Sequence, residues 1–388
     1  MDAANLKGLG WGHRRATGPL APLGASFGRA HPGVTVDWTV RPLSDFEHQP
    51  IADIAGRFDL MIIDHPFCGD IAASGALMPL DEHLPDLLGP SSDGLYVGPS
   101  LASYRYAGHV WAAPIDAAGP HAAYRPDLLA GEPLPASWAD TIALGRRLAA
   151  RGLRLATPVV SPHAFATVAS LMANLGRPIA TDPDAPFDFD REAMASAMEA
   201  LDEVLALSPR ETLGWNAITI EEAMVARDDI AFTPSVYGYA TYAESDQRAP
   251  LRFAPFCGLV APFPAGAMLG GTGLAVSAAT LAPDAAMAFV RFCLSREAQD
   301  TIIPQHHGQP ALVTAWEDEA NDARFGGYYS AVRSTIEMAW IRPRRPGYTR
   351  FQAEAGRAIE AYCRRDIGRR DAIDRVAGAG AAIFGRTP

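Results

Sequence analysis

The stretch Phe-Asp-Leu-Met-Ile-Ile-Asp-His-Pro, residues 58–66, decides how the fold of this chain is interpreted. Its centre, Leu60–Ile63, is a continuous apolar run, which is typical of a strand buried on both faces of a parallel sheet. Pro66 cannot donate a ladder hydrogen bond, so the strand must end before it. We therefore expect Asp64 and His65 at the carboxyl end of a buried strand, where open α/β sheets bind their ligands.

The composition predicts a soluble globular protein and limits its partners. The chain has 388 residues, 48% of them apolar, which is enough for a large core and for more than one domain. Its formal net charge of −11 argues against nucleic acid or an anionic membrane surface as a partner, since both bind concentrated basic surfaces. No segment has the ~18–20 uninterrupted apolar residues of a membrane span, so we expect no direct membrane insertion.

The residues after Met1 lack the basic and apolar regions of a secretory leader. Two localisations are therefore open. The protein is cytoplasmic if Met1 is the native start, and periplasmic if a leader was removed.

Several kinds of chemistry have little support in this sequence. Lys7 is the only lysine, so Schiff-base chemistry, including pyridoxal phosphate attachment, would depend on one residue near the N-terminus. The four cysteines form no Cys-x-x-Cys pair and have apolar neighbours, which is typical of buried core positions. The sequence also has no phosphate loop, Gly-x-Ser-x-Gly elbow or His-Glu-x-x-His motif. We therefore expect no cofactor and no metal.

Apolar periodicity along the chain predicts alternating strands and helices. Helix starts are predicted where a side chain can cap the first turn: at Ser137 with Asp140, at Asp190, and at Thr219 with Glu222. The other predicted elements are strands at 6–11, 34–40, 228–233 and 273–277, a hairpin at 104–114 that turns at Ala107-Gly108, a helix at 283–294, and a helical C-terminal region that frays at 377–382.

Six short patterns in this order are similar to family 1 solute-binding proteins of ABC importers, the maltose-binding-protein-like group. They begin with Phe-Asp-Leu-Met-Ile-Ile-Asp and include Gly-Ala-Leu-Met-Pro-Leu-Asp and Gly-Gly-Thr-Gly-Leu-Ala-Val-Ser. Together they cover about residues 6–360, although members that work outside the membrane carry a signal peptide that is not visible here. The matching segments are 58–64, 75–81, 104–114 with 124–129, 135–140, 270–277 and 288–292.

The resemblance implies an α/β, two-lobe periplasmic-binding-protein-like fold of type II, with crossing hinge strands and an interlobe ligand cleft. Lobe 1 would comprise residues 1–113 and 258–312, and lobe 2 residues 114–257 and 313–388. The lobes would close over a sugar, sugar acid or similar organic acid. The implied partners are this small ligand and the membrane subunits of an ABC transporter, and we expect a monomer.

The resemblance also implies which loops contact the ligand. Carboxylates accept hydrogen bonds from hydroxyls, and aromatic rings pack on pyranose faces. An arginine in the Arg-Pro-Arg-Arg-Pro run would instead select an anionic ligand. The candidate ligand-binding residues are Trp11, His13, Arg14, Asp64, His65, Asp116, His163, Tyr237, Gly271 and Arg345.

Two other functions stay open, although we expect a binding protein rather than an enzyme. His13, Asp64, His65 and Asp116 are residue types that act as general acids and bases near neutral pH. They would suit a cytoplasmic, cofactor-independent lyase, isomerase or decarboxylase on the same fold, with Cys68 as a candidate nucleophile. The third function is a sensor module in which closure signals to a partner.

Overall fold

The structure is a computed structural model that describes residues 3–180 and 187–385. The chain divides into two compact units. The first unit contains the chain up to Ala117 together with Gly270–Asp322 and Arg344–Thr349, and the second contains the remaining segments. The predicted lobe boundaries concern which segments move together, so they stay a prediction.

Eleven strands lie in the part of the chain that the structure describes. They are β1 (Ala4–Trp11), β2 (Val34–Arg41), β3 (Leu60–Ile63), β4 (Arg105–Tyr106), β5 (His109–Val110), β6 (Ala113–Ala118), β7 (Pro120–Tyr124), β8 (Arg154–Leu155), β9 (Ile230–Tyr237), β10 (Arg252–Ala254) and β11 (Gly270–Val276).

The α-helices of the described residues vary from a single turn to about four turns. They are α1 (Arg14–Thr17), α2 (Leu20–Ala30), α3 (Leu43–His48), α4 (Cys68–Ser74), α5 (Pro85–Leu88), α6 (Ser100–Ser103), α7 (Pro126–Leu129), α8 (Trp138–Ala149), α9 (His163–Asn174), α10 (Arg191–Leu205), α11 (Ala217–Ala226), α12 (Pro283–Cys293), α13 (Ile303–Gln305), α14 (Val313–Trp316), α15 (Glu319–Arg324), α16 (Tyr328–Glu337), α17 (Tyr348–Cys363) and α18 (Arg369–Phe384).

A five-stranded sheet in the order β2-β1-β3-β11-β6 forms the centre of the first unit. Strand β1 pairs in parallel with β2 and β3, whereas β11 runs antiparallel to β3. The side chains of Leu60–Ile63 are at most 2% exposed, as predicted for a strand buried on both faces. Gly8 allows a neighbouring indole to cover β1, because a Cβ there would lie 2.4 Å from Cε3 of Trp38.

A four-stranded sheet in the order β10-β7-β9-β8 forms the centre of the second unit. Strand β9 reaches Tyr237, beyond the predicted end at Thr233, and it does so through Pro234. Strand β7 pairs His121 with Val236 and Ala123 with Thr233, so one β7 residue lies opposite two residues of β9, and β9 bulges at Pro234 and Ser235. The bulge places a residue that has no N–H in the interior of a strand.

Three of the predicted local features are confirmed. Ala107 and Gly108 have positive φ angles of 52° and 85° and join β4 to β5 in a hairpin. The Ser137 side chain accepts from the backbone N–H of Asp140, which starts α8. Asp190 caps α10 in the same way.

The predicted capping box at Thr219 and Glu222 is wrong. The cap of α11 is Asn216, whose Oδ1 accepts from the backbone N–H of Thr219 at 2.9 Å. Thr219 therefore lies in the first turn of the helix. Asn216 is the cap because it precedes the first helical residue, and from there its short side-chain carbonyl accepts from a free backbone N–H of the first turn.

The predicted fraying near the C-terminus is also wrong, because α18 continues to Phe384. The Phe187 ring lies 4.7 Å from that of Phe384 and 4.5 Å from that of Phe351, measured between centroids. Gly380 leaves room for this contact, since a Cβ there would lie 2.5 Å from Cε1 of Phe187. Aromatic packing therefore holds the last helix.

Candidate functional site

The first unit brings candidate residues to the carboxyl ends of β1 and β3. These parallel strands pair Leu9 with Met61, so continuing the register by two residues places Trp11 level with Ile63. The residues that follow each strand therefore leave the sheet at the same edge. This is the edge at which α/β sheets bind ligands.

Trp11 is only 2% exposed and packs within its own unit. Its ring centroid lies 5.4 Å from that of Phe46 and 6.1 Å from that of His13, and the His13 ring is nearly parallel to it. The indole thus supports the imidazole from behind. A direct contact between Trp11 and a ligand stays a prediction.

His13 caps the short helix α1, and this fixes its protonation. Its Nδ1 accepts a hydrogen bond from the backbone N–H of Arg15 at 3.0 Å. Burial, together with the positive charges of Arg15 and Arg14, lowers the pKa of His13 to about 3. The ring is therefore neutral near pH 7. Since Nδ1 accepts, the single proton must be on Nε2, which makes that nitrogen a donor.

Arg14 lies next to a second histidine of the first unit. Its Nη2 is 3.1 Å from Nε2 of His307. Gly18, which ends α1, packs on the same segment, since a Cβ there would lie 2.2 Å from the carbonyl oxygen of His306. Arg14 is thereby held at the start of α1.

Asp64 and His65 form one hydrogen-bonded turn at the end of β3. Asp64 Oδ1 accepts from the backbone N–H of His65 at 2.8 Å and lies 3.2 Å from its ring Nδ1. His65 is fully buried and meets Tyr104 edge-on at 6.2 Å, whereas the Asp64 side chain is 16% exposed. The carboxylate is therefore the more accessible member of the pair.

Asp116 forms a buried ion pair with a residue that the sequence analysis did not select. Arg15 Nε donates to Asp116 Oδ2 at 2.8 Å, and Arg15 Nη2 donates to Oδ1. The two residues are 4% and 9% exposed. The only signal in the sequence was the position of Arg15 beside Arg14, which does not point to a partner a hundred residues away. The bidentate contact occupies both carboxylate oxygens of Asp116.

Gly271 is required by the backbone of the sheet. Its φ angle is +102°, and a Cβ would lie 2.4 Å from the carbonyl oxygen of Asp116. Only glycine adopts this conformation at low cost and permits so close an approach. The structure thus gives Gly271 a packing role beside Asp116, and ligand contact by its backbone stays a prediction.

The segment Arg344–Thr349 packs on the first turn of α4. The backbone N–H of Gly347 donates to Asp70 Oδ1 at 2.8 Å. Gly69 lies directly against the segment, since a Cβ there would be 1.9 Å from the carbonyl oxygen of Arg344 and 2.6 Å from the carbonyl carbon of Arg345. Gly69 follows His65 by four residues, so the backbone of Arg345 lies against the turn that leads out of the β3 end.

The neighbouring arginines of this run have structural partners. Arg344 Nη1 donates to the carbonyl oxygen of Ala102 at 2.8 Å. In the second unit, Arg342 is 4% exposed and its Nη1 donates to Gln352 Oε1 at 3.2 Å. The run is therefore largely a set of anchors rather than a solvated charge cluster.

The second unit brings His163 and Tyr237 together. His163 is the first residue of α9 and Tyr237 the last residue of β9, and their ring centroids are 6.3 Å apart. Tyr237 Oη donates to the carbonyl oxygen of Met268 at 3.2 Å. Met268 forms a parallel bridge with Trp340, an aromatic residue that the sequence analysis missed. Its one sequence signal is its position two residues before Arg342, where the Arg-Pro run begins.

Residues 3–180 and 187–385 form neither a metal centre nor a thiolate nucleophile. No three His, Cys, Asp or Glu side chains of this part lie in an arrangement that could hold a metal ion. Cys68 is fully buried, and burial raises the pKa of its thiol well above the ordinary range. Its Sγ lies 3.8 Å from the carbonyl oxygen of Tyr104. The thiol is therefore protonated near neutral pH, whereas a cysteine nucleophile must be a thiolate.

The helices in the described part of the chain do not reach both the length and the hydropathy of a membrane span. None of them is both long enough and apolar enough to cross a bilayer.

Solved structures of several solute-binding proteins have the same fold as this chain. Maltose-bound MalE3 of T. maritima superposes with a TM-score of 0.82 at 16% identity, covering 98% of this chain and 100% of that chain. A solute-binding protein of Agrobacterium radiobacter K84 in complex with ribitol has a TM-score of 0.82 at 18% identity, covering 99% and 98%. These matches confirm the predicted two-lobe periplasmic-binding-protein-like α/β fold.

The sequence itself matches a family model. Residues 15–300 match the model of the bacterial extracellular solute-binding proteins, and this range is well over half of the chain. The match confirms the family that the local sequence patterns resembled. The chain therefore belongs to the bacterial extracellular solute-binding protein family.

Proposed function

We propose that this chain is the binding component of an ABC importer and that its ligand is a small sugar or polyol. The family match carries the first part of this proposal. The second part is supported by solved proteins of the same fold that hold maltose, ribitol, α-D-tagatose and D-mannitol. Membrane transport subunits are the implied protein partners, and the place of work is outside the cytoplasm.

The strand-end residues of the first unit fit a hydroxylated ligand. His13 offers an N–H donor at Nε2, and Asp64 offers a carboxylate that accepts. A hydroxyl group both donates and accepts, so neighbouring hydroxyls of one ligand can satisfy both groups. Asp116 adds no free charge here, because Arg15 neutralises it.

The second unit supplies aromatic surface. Tyr237 is half-buried and its ring meets the His163 imidazole at the end of β9. Aromatic rings pack on the C–H faces of sugars and bury apolar area there. We propose that His163 and Tyr237 contact a ligand through this aromatic surface.

A sugar acid is the second candidate ligand, and one observation supports it. The segment that carries Arg345 is anchored by Asp70 against the turn that follows the end of β3. A guanidinium there would bind a ligand carboxylate through paired hydrogen bonds. Arg345 would then contact the acid group, and the rest of the site the hydroxyls.

The geometry supports binding better than catalysis. An acid–base catalyst works best with a pKa near the operating pH, whereas the pKa of His13 is about 3. Asp116 is held by Arg15, and Cys68 is protonated. A sensor role would use the same ligand site and differ only in the protein partner.

Isothermal titration calorimetry tests the proposal directly. Purified protein would be titrated with maltose, ribitol, D-mannitol, D-tagatose and D-glucuronate. We expect saturable heat with at least one of them and an intact probe after incubation. A folded protein that gives no heat with any probe would contradict the ligand class, and chemical conversion of a bound probe would favour the enzyme.

A further inference from the structure

The backbone of Trp340 is fixed by two hydrogen bonds within the second unit. Its N–H donates to the carbonyl oxygen of Ala267 at 2.8 Å, and its own carbonyl oxygen accepts from Leu269 N–H at 2.8 Å. Between these two bonds it forms the parallel bridge with Met268. The segment around Trp340 therefore pairs with residues 267–269 as a short strand does, and this pairing fixes the position of the Trp340 Cα atom.

The same bridge connects Trp340 to the candidate ligand residues of this unit. The Met268 carbonyl oxygen accepts from Tyr237 Oη at 3.2 Å, and its N–H donates to Ser170 Oγ on α9 at 2.9 Å. The Met268 peptide is therefore held between the end of β9 and the helix that begins with His163. Met268 therefore connects Trp340, its bridge partner, to Tyr237, which meets the His163 ring.

The indole nitrogen of Trp340 is buried and has no hydrogen-bond acceptor among the residues that the structure describes. A buried N–H without an acceptor costs free energy, because it has lost its hydrogen bonds to water. Such groups are uncommon in folded proteins, and each one calls for an explanation. An acceptor supplied by a ligand is a direct explanation at a ligand-binding end of a sheet.

Burial of an indole N–H does not by itself indicate a ligand contact, as a second tryptophan shows. Trp38 Nε1 is also buried without an acceptor in the described part of the chain. Its ring lies over Gly8 and 6.4 Å from Phe289, and neither of these neighbours is a candidate ligand residue. Trp340 differs because its bridge partner is bonded to Tyr237. Trp38 is therefore a matched control for Trp340.

We propose that Trp340 donates its indole N–H to an oxygen atom of the ligand and so determines specificity in the second unit. This inference rests on the proposed function. A hydroxyl oxygen and a carboxylate oxygen both accept such a bond. A ligand that places no oxygen there would leave the donor unsatisfied and bind more weakly.

The substitution Trp340→Phe tests the donor while keeping an aromatic ring. We expect it to weaken binding of the best probe of the calorimetric panel by about 3- to 10-fold, the loss typical of one hydrogen bond. Trp38→Phe should leave the dissociation constant unchanged. Comparing ribitol with D-glucuronate separates the sources of the acceptor, since a carboxylate acceptor would make the loss larger for the acid.

A spectroscopic measurement on the unmutated protein supports the same test if Trp340→Phe folds poorly. The chain has seven tryptophans, so ¹⁵N-indole labelling gives at most seven side-chain signals. We expect a saturating probe to shift one indole proton strongly downfield, and a bound probe that leaves every indole proton in place would overturn the role of Trp340 without any variant. Where Trp340→Phe does fold, the shifted signal should be absent from its spectrum.

The outcomes separate the two proposals. If no probe binds the wild-type protein, the proposed ligand class fails and the inference fails with it. If a probe binds with clear heat but all indole signals stay in place, or Trp340→Phe binds as well as wild type, only the role of Trp340 is overturned.

Discussion

At the scale of single residues, buried charge is organised around Arg15 and Asp116. Both are almost fully buried, and two hydrogen bonds join them. A buried pair gives little net stability compared with apolar residues, but removing one partner leaves a buried charge without compensation. The pair therefore fixes α1 and the adjoining strand β6 in one arrangement.

We predict that Asp116→Asn lowers the free energy of unfolding by about 3 kcal/mol, because Arg15 stays buried and charged. Asp86→Asn is the control, since Asp86 and Arg291 form an exposed pair of the same unit with side chains 56% and 48% exposed. Its effect should be below about 1 kcal/mol. Urea unfolding measures both, and equal effects would contradict the role given to the buried pair.

The protonation of His13 gives a pH-dependent prediction. Its folded pKa of about 3 is below the unfolded value of 6.5, so the unfolded chain binds this proton first as the pH falls. His13 therefore costs stability progressively between about pH 6.5 and pH 3. His13→Asn keeps a cap that accepts from Arg15 N–H but has no such proton. Between pH 7 and pH 4 the variant should lose less stability, by on the order of 2 kcal/mol.

Urea unfolding of the wild type and of His13→Asn at both pH values measures this difference. A His13→Asn variant that loses as much stability on acidification as the wild type would show that His13 is protonated in the folded protein.

At the scale of elements, the fit between α4 and the segment Arg344–Thr349 depends on one glycine. A methyl group at Gly69 would lie 1.9 Å from the carbonyl oxygen of Arg344, which is backbone and cannot rotate away. Asp70 holds the same segment through Gly347 N–H. The contact between the two elements is therefore close and specific.

We predict that Gly69→Ala lowers the free energy of unfolding by about 1–3 kcal/mol, as overpacking does. If Arg345 binds an acid group, affinity for D-glucuronate should fall with it. Gly56→Ala is the matched control, since a Cβ there meets no atom within 4 Å, and its effect should stay within about 0.5 kcal/mol. Thermal unfolding and calorimetry give both quantities, and a Gly69→Ala protein as stable as Gly56→Ala would disprove the close contact.

The elements also show what the sequence can predict. The strand Leu60–Ile63 was predictable because its apolar residues leave only a buried position for it. The length of β9 was not predictable, because Pro234 is tolerated only where β9 bulges, and that bulge depends on pairing with β7, which is distant in sequence. The predicted cap of α11 was wrong because asparagine and threonine are both good capping residues. The sequence does not show which of Asn216 and Thr219 precedes the first helical residue.

At the scale of the whole molecule, the order of short local patterns was enough to predict the fold and family. In the candidate site, the sequence predicted the residues that lie at the ends of strands, such as Asp64 and Tyr237, but not their partners. Arg15 and Trp340 were missed because their roles depend on contacts with Asp116 and Met268, which are remote in the chain. A sequence shows which residues end a strand, but not which distant side chain neutralises them or leaves a donor unsatisfied.

The central proposal is that the chain binds a small hydroxylated ligand and that the strand-end residues Asp64 and Tyr237 contribute to the affinity, and paired calorimetric titrations test it most directly. Asp64→Asn changes the first unit and Tyr237→Phe the second, while Asp37→Asn on the exposed edge of β2 is the control. For the sugar or polyol that binds the wild type, we predict weaker binding by each of the first two variants and unchanged binding by the third. Unchanged affinity in either Asp64→Asn or Tyr237→Phe, with the protein folded, would contradict the claim.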